Sequence, residues 1–302
     1  MKLKRRTVVS LIVAASCIVA GLIVAAVGLC MLIIAPDPMP TATTRRLDIS
    51  ESFQSVSIQA ITANVELDYT EESAGYVSYT DHDYVSYTAE VRDGTLHVTA
   101  EDTRPWYKRI VLWQTVEPVV RICLPTYELE DLHVEITSGD IAIPHGLSLS
   151  GNASLQTTTG DISLSGLLGA NLAVSTTTGD ITMEIVSCES LSASSTTGDI
   201  TLQTVSCGSL TASSSTGDMD YTTVVVRGAL TCRTTTGDIT LTASDAATLT
   251  LKATTGDVTA RLTSPKVVRF DTTTGSVDVP HSTEGGTCDV ETTTGSILVA
   301  FE

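Results

Sequence analysis

The chain has 302 residues, a formal charge of −18 and only 4 % aromatic residues. Four of its 17 basic side chains precede residue 7, so residues 36–302 carry 13 basic against 35 acidic groups, a net charge of −22. Such a surface repels polyanions, which excludes nucleic acid as a partner and opposes contact with anionic membrane.

Residues 1–6 contain Lys2, Lys4, Arg5 and Arg6 and read as a short cytoplasmic tail. Thr7 to Ala35 is an uncharged run of 29 residues. A helix of about 20 apolar residues spans a bilayer core, and basic residues on the N-terminal flank predict a cytoplasmic N-terminus. The run is longer than the apolar stretch of about 7–15 residues in a secretory signal. Ala14-Ala15-Ser16-Cys17 lacks the aliphatic start of a lipoprotein site. Residues 7–35 are therefore expected to be an uncleaved transmembrane signal anchor. The chain then sits in the cell membrane as a single-pass protein with its C-terminal domain extracellular. Pro36, Pro38 and Pro40 open a stiff, polar linker over residues 36–44.

Residues 45–135 have strand character without a repeat and are expected to form an N-terminal β cap. Val85, Tyr87, Ala89 and Val91 alternate with polar residues, and Asp93-Gly94 then precedes Leu96, His97 and Val98. That is a hairpin signal. Pro105, Trp106 and Trp113 interrupt the strands, as a loop or cap would. Asp81-His82-Asp83 is a polar triplet that reads as a surface loop, since one short triplet seldom supplies a full metal-ligand set. No stretch beyond residue 36 has sustained helical periodicity, so the fold class is all-β.

Residues 136–302 repeat. TSGD, TTTGD, STTGD, SSTGD, ATTGD or TTTGS recurs around Gly139, Gly160, Gly179, Gly198, Gly217, Gly237, Gly256, Gly275 and Gly295, at spacings of 21, 19, 19, 19, 20, 19, 19 and 20. A constant period near 20 predicts a parallel β-solenoid of about nine coils. Apolar residues fall seven and five positions before the glycines, as at Leu172 and Val174, and two and four after, as at Ile181 and Met183. Alternation with period two gives each coil two short strands, one face in and one out, joined at the Gly-Asp corner. Continuing it places the threonine just before each glycine inward: Thr159, Thr178, Thr197, Thr216, Thr236, Thr255, Thr274 and Thr294.

The corner aspartates, Asp140 and then Asp161, Asp180, Asp199, Asp218, Asp238 and Asp257, should stack one coil apart. Calcium takes 6–8 oxygen ligands, which makes the column a calcium candidate. The simpler reading is a turn residue that bonds backbone N–H groups two positions on. An ice-binding face on the outward threonines is spoiled by Arg233, Lys252, Asp271 and Glu291 beside them. Cys188 and Cys207 lie one coil apart, but in-register side chains point in parallel, which favours a reduced stack over a disulfide. His82, His97, His133, His145 and His281 are scattered, and no constellation for catalysis or cofactor binding is recognisable.

Arg121-Ile122-Cys123-Leu124-Pro125, then Leu132 to Ile141 and the repeated TTTGDI strings, resemble the bacterial DUF4097 family over about residues 45–302. The resemblance implies an envelope-facing β-solenoid of a family labelled as adhesins, often behind a membrane anchor, with some members in envelope-stress systems. It implies no catalytic motif. The expectation is a non-enzymatic surface binding or scaffold module whose partner is an envelope protein or glycan. The alternatives are an accessory or sensor part of an envelope-stress pathway and, less favoured, a glycan-active β-helix enzyme. The last coil, ending at Ile297 to Phe301, is expected to leave an unpaired strand edge through which chains could self-associate.

Overall fold

The computed structural model describes residues 43–81, 85–102, 118–126, 128–144 and 146–302. The anchor run, Pro105, Trp106, Trp113, His82 and His145 lie outside these residues. Among the described residues the only regular elements are strands, and no helix there is long and apolar enough to cross a membrane.

The N-terminal strands are β1 (Thr43–Asp48), β2 (Ser55–Thr62), β3 (Asn64–Tyr69), β4 (Tyr76–Asp81), β5 (Val85–Arg92), β6 (Thr95–Asp102), β7 (Val119–Leu124) and β8 (Glu128–Leu129). The solenoid continues through β9 (Leu132–Ser138), β10 (Ile141–Ile143), β11 (Leu147–Leu149), β12 (Asn152–Thr159), β13 (Ile162–Ser165) and β14 (Leu167–Thr178). Four long strands follow: β15 (Ile181–Thr197), β16 (Ile200–Thr216), β17 (Met219–Thr236) and β18 (Ile239–Thr255). The last are β19 (Val258–Leu262), β20 (Lys266–Thr274), β21 (Val277–Asp278), β22 (Gly286–Thr294) and β23 (Ile297–Phe301).

Coils pair in parallel and in register: Leu191 lies over Leu210, then Leu230, then Leu249. Nine glycine corners enclose about eight turns, one fewer than a count of corners suggests. Each corner glycine has φ between 133° and 157°, a region L side chains avoid. At Gly198 a Cβ would sit 1.9 Å from the carbonyl oxygen of Gly179, so stacking alone forbids a side chain there.

Each coil has three faces, not two strands. In β15 the buried sets are Ile181 and Met183, then Val186 and Cys188, then Leu191, Ala193 and Ser195. Between the first two sets the chain bends at Ile185 (φ 55°), and the same bend recurs at Thr204 (54°), Thr223 (57°) and Ala243 (47°). These are left-handed conformations held by residues other than glycine, so the sequence gives no glycine signal for this corner. Where a coil has one extra residue, the register shifts locally, between Val226 and Ala229 for instance, and the corners stay aligned.

The inward threonine is also corrected. Thr157, Thr176, Ser195, Ser214, Thr234 and Thr292, three positions before the glycines, are buried. Thr178 and its equivalents, one position before, are exposed, because the alternation breaks over the last two residues of the strand. Each buried hydroxyl donates to the glycine carbonyl of the adjacent coil, as Thr176 does to Gly160 at 3.1 Å. The column expected two places later exists, and it satisfies carbonyls the corner would otherwise leave bare.

The two ends differ. At the N-terminal end β2 lies between β6 and β9, and β3 between β7 and β10, so both pairs extend the stack. The expected hairpin is present: β5 runs antiparallel to β6, with Asp93 and Gly94 both at positive φ. β5 covers the edge of β6; β4, and then β1, cover that of β7. At the other end the coils are out of chain order. Gly256 N–H donates to Thr294, not to Thr274, and Gly295 N–H donates to Thr274. β22 is inserted between β18 and β20, and β23 between β19 and β21. The C-terminal coil is therefore an interior layer for most of its length, and the expected open edge belongs to β20. Among the described residues no strand pairs with the outer side of β20.

Candidate functional site

The corner aspartates form a column, and its chemistry is directional. Asp161 N–H donates to Asp140 Oδ1 at 2.8 Å, and the same bond links Asp180 to Asp161, Asp199 to Asp180, Asp218 to Asp199, Asp238 to Asp218 and Asp257 to Asp238. Ser296 N–H closes the series on Asp257 Oδ1 at 2.7 Å. One oxygen of each carboxylate is thus engaged by the next coil's backbone, not by its own corner two residues on. These acids are exposed, so solvent screens their mutual repulsion. Among the described residues no group of three or more His, Cys, Asp or Glu side chains is placed to hold a metal ion.

Asp220 stands on the next face, outward, one strand position beyond the buried Met219. Partial burial, then the charges of Asp218 and Asp199, hold its carboxyl above the usual range. The acidic face carries a cost that the turn bonds alone do not reveal.

Two of the histidines, His97 and His133, lie two strands apart, and His133 lines a groove. Ser57 of β2 lies in register with His97 on one side and His133 on the other. His133 Nε2 is 3.8 Å from Glu135 Oε2. Together with Ser57, Thr95, Asp131, Asn152 and Ser154, His133 lines a shallow open groove of about 340 Å³. Asp131 is fixed there because its Oδ1 accepts from Asn152 N–H at 2.6 Å. The groove offers hydroxyls, an amide, a carboxylate and an imidazole around a buried floor of Val56 and Leu132. Sequence reasoning missed it, because residues 55, 95, 131 and 152 meet only through the stacking of the first coils. His281 is not part of it.

All five described cysteines are free, including the in-register Cys188 and Cys207. The neighbouring Cys188 sulfur, with burial, pushes the Cys207 thiol well above the ordinary range. Such a thiol is an unreactive core group rather than a nucleophile.

A buried ion pair anchors the start of the outer coil. Lys266 Nζ is 2.6 Å from Asp245 Oδ1, and the lysine side chain is 5 % exposed. Burial would raise the Asp245 carboxyl, but bonds from Lys266, Ser264 and the Ala246 N–H outweigh it and lower the group.

The family model described as Toastrack DUF4097 matches residues 53–300. Among solved structures, the chain resembles a candidate adhesin from Bacteroides fragilis, with 14 % identity, a TM-score of 0.51, and coverage of 86 % of this chain and 98 % of that one. It also resembles a candidate adhesin from Parabacteroides distasonis, with 12 % identity, a TM-score of 0.50, and coverage of 85 % and 96 %. At these identities the likeness concerns the fold alone. No curated protein shows significant similarity to the chain.

Proposed function

Because the chain belongs to the Toastrack DUF4097 family, we propose that it is an adhesin-like binding module displayed at the bacterial envelope. Residues 7–35 anchor it in the cell membrane, with the N-terminus cytoplasmic and the solenoid outside. It acts by binding, not by catalysis.

The observation that carries this reading is the polar groove at His133. The rest of the wall presents repeated columns of aspartate and threonine, whereas this groove concentrates different hydrogen-bonding groups in one concave place. Its donors and acceptors suit a polyhydroxylated ligand such as an envelope glycan, which offers hydroxyls in both roles. The net charge of −22 outside the N-terminal segment favours a neutral or cationic ligand over an acidic one.

Full-length protein captured on beads should retain envelope polysaccharide after protease treatment of the fraction. The double variant His133→Ala with Asn152→Ala should lose that retention. Equal retention by the variant would remove the groove from the reading. Protease added to intact protoplasts should digest the solenoid, and full protection would refute the topology.

A further inference from the structure

The outermost layer is the one formed by β20 and β21, and its core positions are uncovered. Phe270 is 51 % exposed and Val277 37 %, whereas Val290 and Ile297, which occupy the same positions one layer in, are 2 % and 1 % exposed. Phe301 lies one layer in, on β23, half-buried against the core and in register with Leu262. β20 also leaves one row of backbone N–H and C=O groups unpaired by any described strand, which is a template for another strand. The opposite end of the stack is closed by antiparallel strands of the chain itself. Antiparallel addition is therefore a cap this architecture already accepts.

We propose that this edge is occupied by the same edge of a second copy, so that two chains join tip to tip with their β20 strands antiparallel about a two-fold axis at Phe270. The order of charges along β20 favours this partner. On β20, Arg269 and Asp271 flank Phe270 and point outward, while Val268, Phe270 and Thr272 belong to the inward set. Antiparallel pairing centred on Phe270 sets Arg269 of each copy against Asp271 of the other, and the two phenylalanine rings against each other over the open core. A shift of one residue turns the inward set of one copy against the outward set of the other. Recentring the pair on residue 269 sets arginine against arginine, and on residue 271 aspartate against aspartate. Of these neighbouring registers, only the one at Phe270 pairs opposite charges.

Within one chain these two charges are poorly served. Arg269 is 3.7 Å from Asp289 and 70 % exposed. Asp271 lies in register with Glu291, a like charge that is itself bonded to Lys252. A second copy supplies each with a better partner. The overall negative charge opposes the approach, but at physiological ionic strength it is screened beyond about 8 Å, so the local pairs decide the register. A strand pair of this length buries less than the roughly 800 Å² per partner of a stable complex. The contact is accordingly weak between free chains and strengthened when chains are held on surfaces.

The test uses the full chain in the membranes of producing cells, with the photoreactive residue benzoylphenylalanine in place of Phe270. Illumination should give a covalent dimer whose cross-link joins position 270 to the 268–272 segment of the second chain. Arg269→Asp alone and Asp271→Arg alone each turn two opposite-charge pairs into two like-charge pairs and should lower the dimer yield at least about tenfold. The double swap restores opposite pairs and should restore the yield. Both side chains are exposed, and unchanged thermal melting will show that the variants fold. The proposal is overturned by an adduct to a different protein, by a link within one chain, by no adduct, or by a double swap that behaves like the singles.

Discussion

Asp180 Oδ1 accepts a hydrogen bond of 2.8 Å from the backbone N–H of Asp199, one coil on. The carboxylate needs only its oxygen for this role, and its charge is a burden shared with identical neighbours. Asparagine keeps the acceptor and removes the charge. Changing Asp180, Asp199 and Asp218 together to Asn should therefore leave the melting temperature unchanged or raised, while the same three changes to Ala should each cost about 1 kcal/mol. Thermal denaturation at low and moderate salt separates the two. If Asn proves as harmful as Ala, the charge itself has a role, and millimolar calcium should then raise the melting temperature of the unaltered chain by mass action.

Asp220 gives a pH dependence with a definite sign. Its folded carboxyl is held above the unfolded value, first by burial and then by Asp218 and Asp199. The folded state thus binds this proton more tightly. The penalty is absent while the group is protonated in both states and grows as pH rises above the ordinary carboxylate range. Asp220→Asn should raise stability at pH 7 and give a smaller gain at pH 3, as read from urea midpoints at the two pH values. A gain that does not fall with pH would show that the cause is not ionisation.

Gly198 has φ 145°, and a Cβ there would meet the Gly179 oxygen at 1.9 Å. Gly198→Ala should cost at least about 2 kcal/mol from backbone strain and separation of the coils. Thr196→Ser, outward and two residues earlier, should cost less than about 0.5 kcal/mol. Chemical denaturation compares them, and similar costs would mean that the corners do not stack as described.

Ile185 is the converse case, a β-branched residue at φ 55° and exposed by 63 %. Ile185→Asn or Ile185→Gly should stabilise the chain by up to about 1 kcal/mol, because relief of left-handed strain exceeds the small loss of burial. A loss of stability in both variants would show that the isoleucine side chain holds this corner.

Lys266 and Asp245 are coupled in the other direction. Asp245→Asn leaves a lysine that is 5 % exposed without its countercharge and should cost roughly 3 kcal/mol. Proteolysis should then appear first around residues 263–285, the segment that leads into and out of the outer coil. Uniform digestion along the stack would show that the pair does not secure that end.

The axis of the solenoid was legible in the glycines, since a corner closed to side chains must repeat as glycine. The core was legible in the alternation, and Leu172, Val174, Ile181 and Met183 are all buried. Alternation failed at Thr178 because the strand ends before the glycine and leaves two consecutive residues outward. The third face stayed hidden because Ile185, Thr204 and Thr223 adopt a glycine-like backbone without being glycine. The coil order was not legible at all. Similar repeats can pair with any neighbour, so the end was expected at Ile297 to Phe301 and lies instead at β20. The groove at His133 escaped for a related reason: its residues are spread from Ser55 to Ser154, and nothing local links them.

The inserted layer of β22 and β23 sets a constraint on time. In a stack built in chain order, each coil can settle on the last as soon as it exists. Here β20 and β21 cannot rest on β18 and β19, because that place belongs to residues that come later. The outer layer must wait, or dock wrongly on the Gly256 coil and be displaced. Completion of the fold thus needs β22 and β23 in place before β20 and β21 can settle, unlike another turn of the same screw, and the last layer to be covered is the very one whose surface is left open.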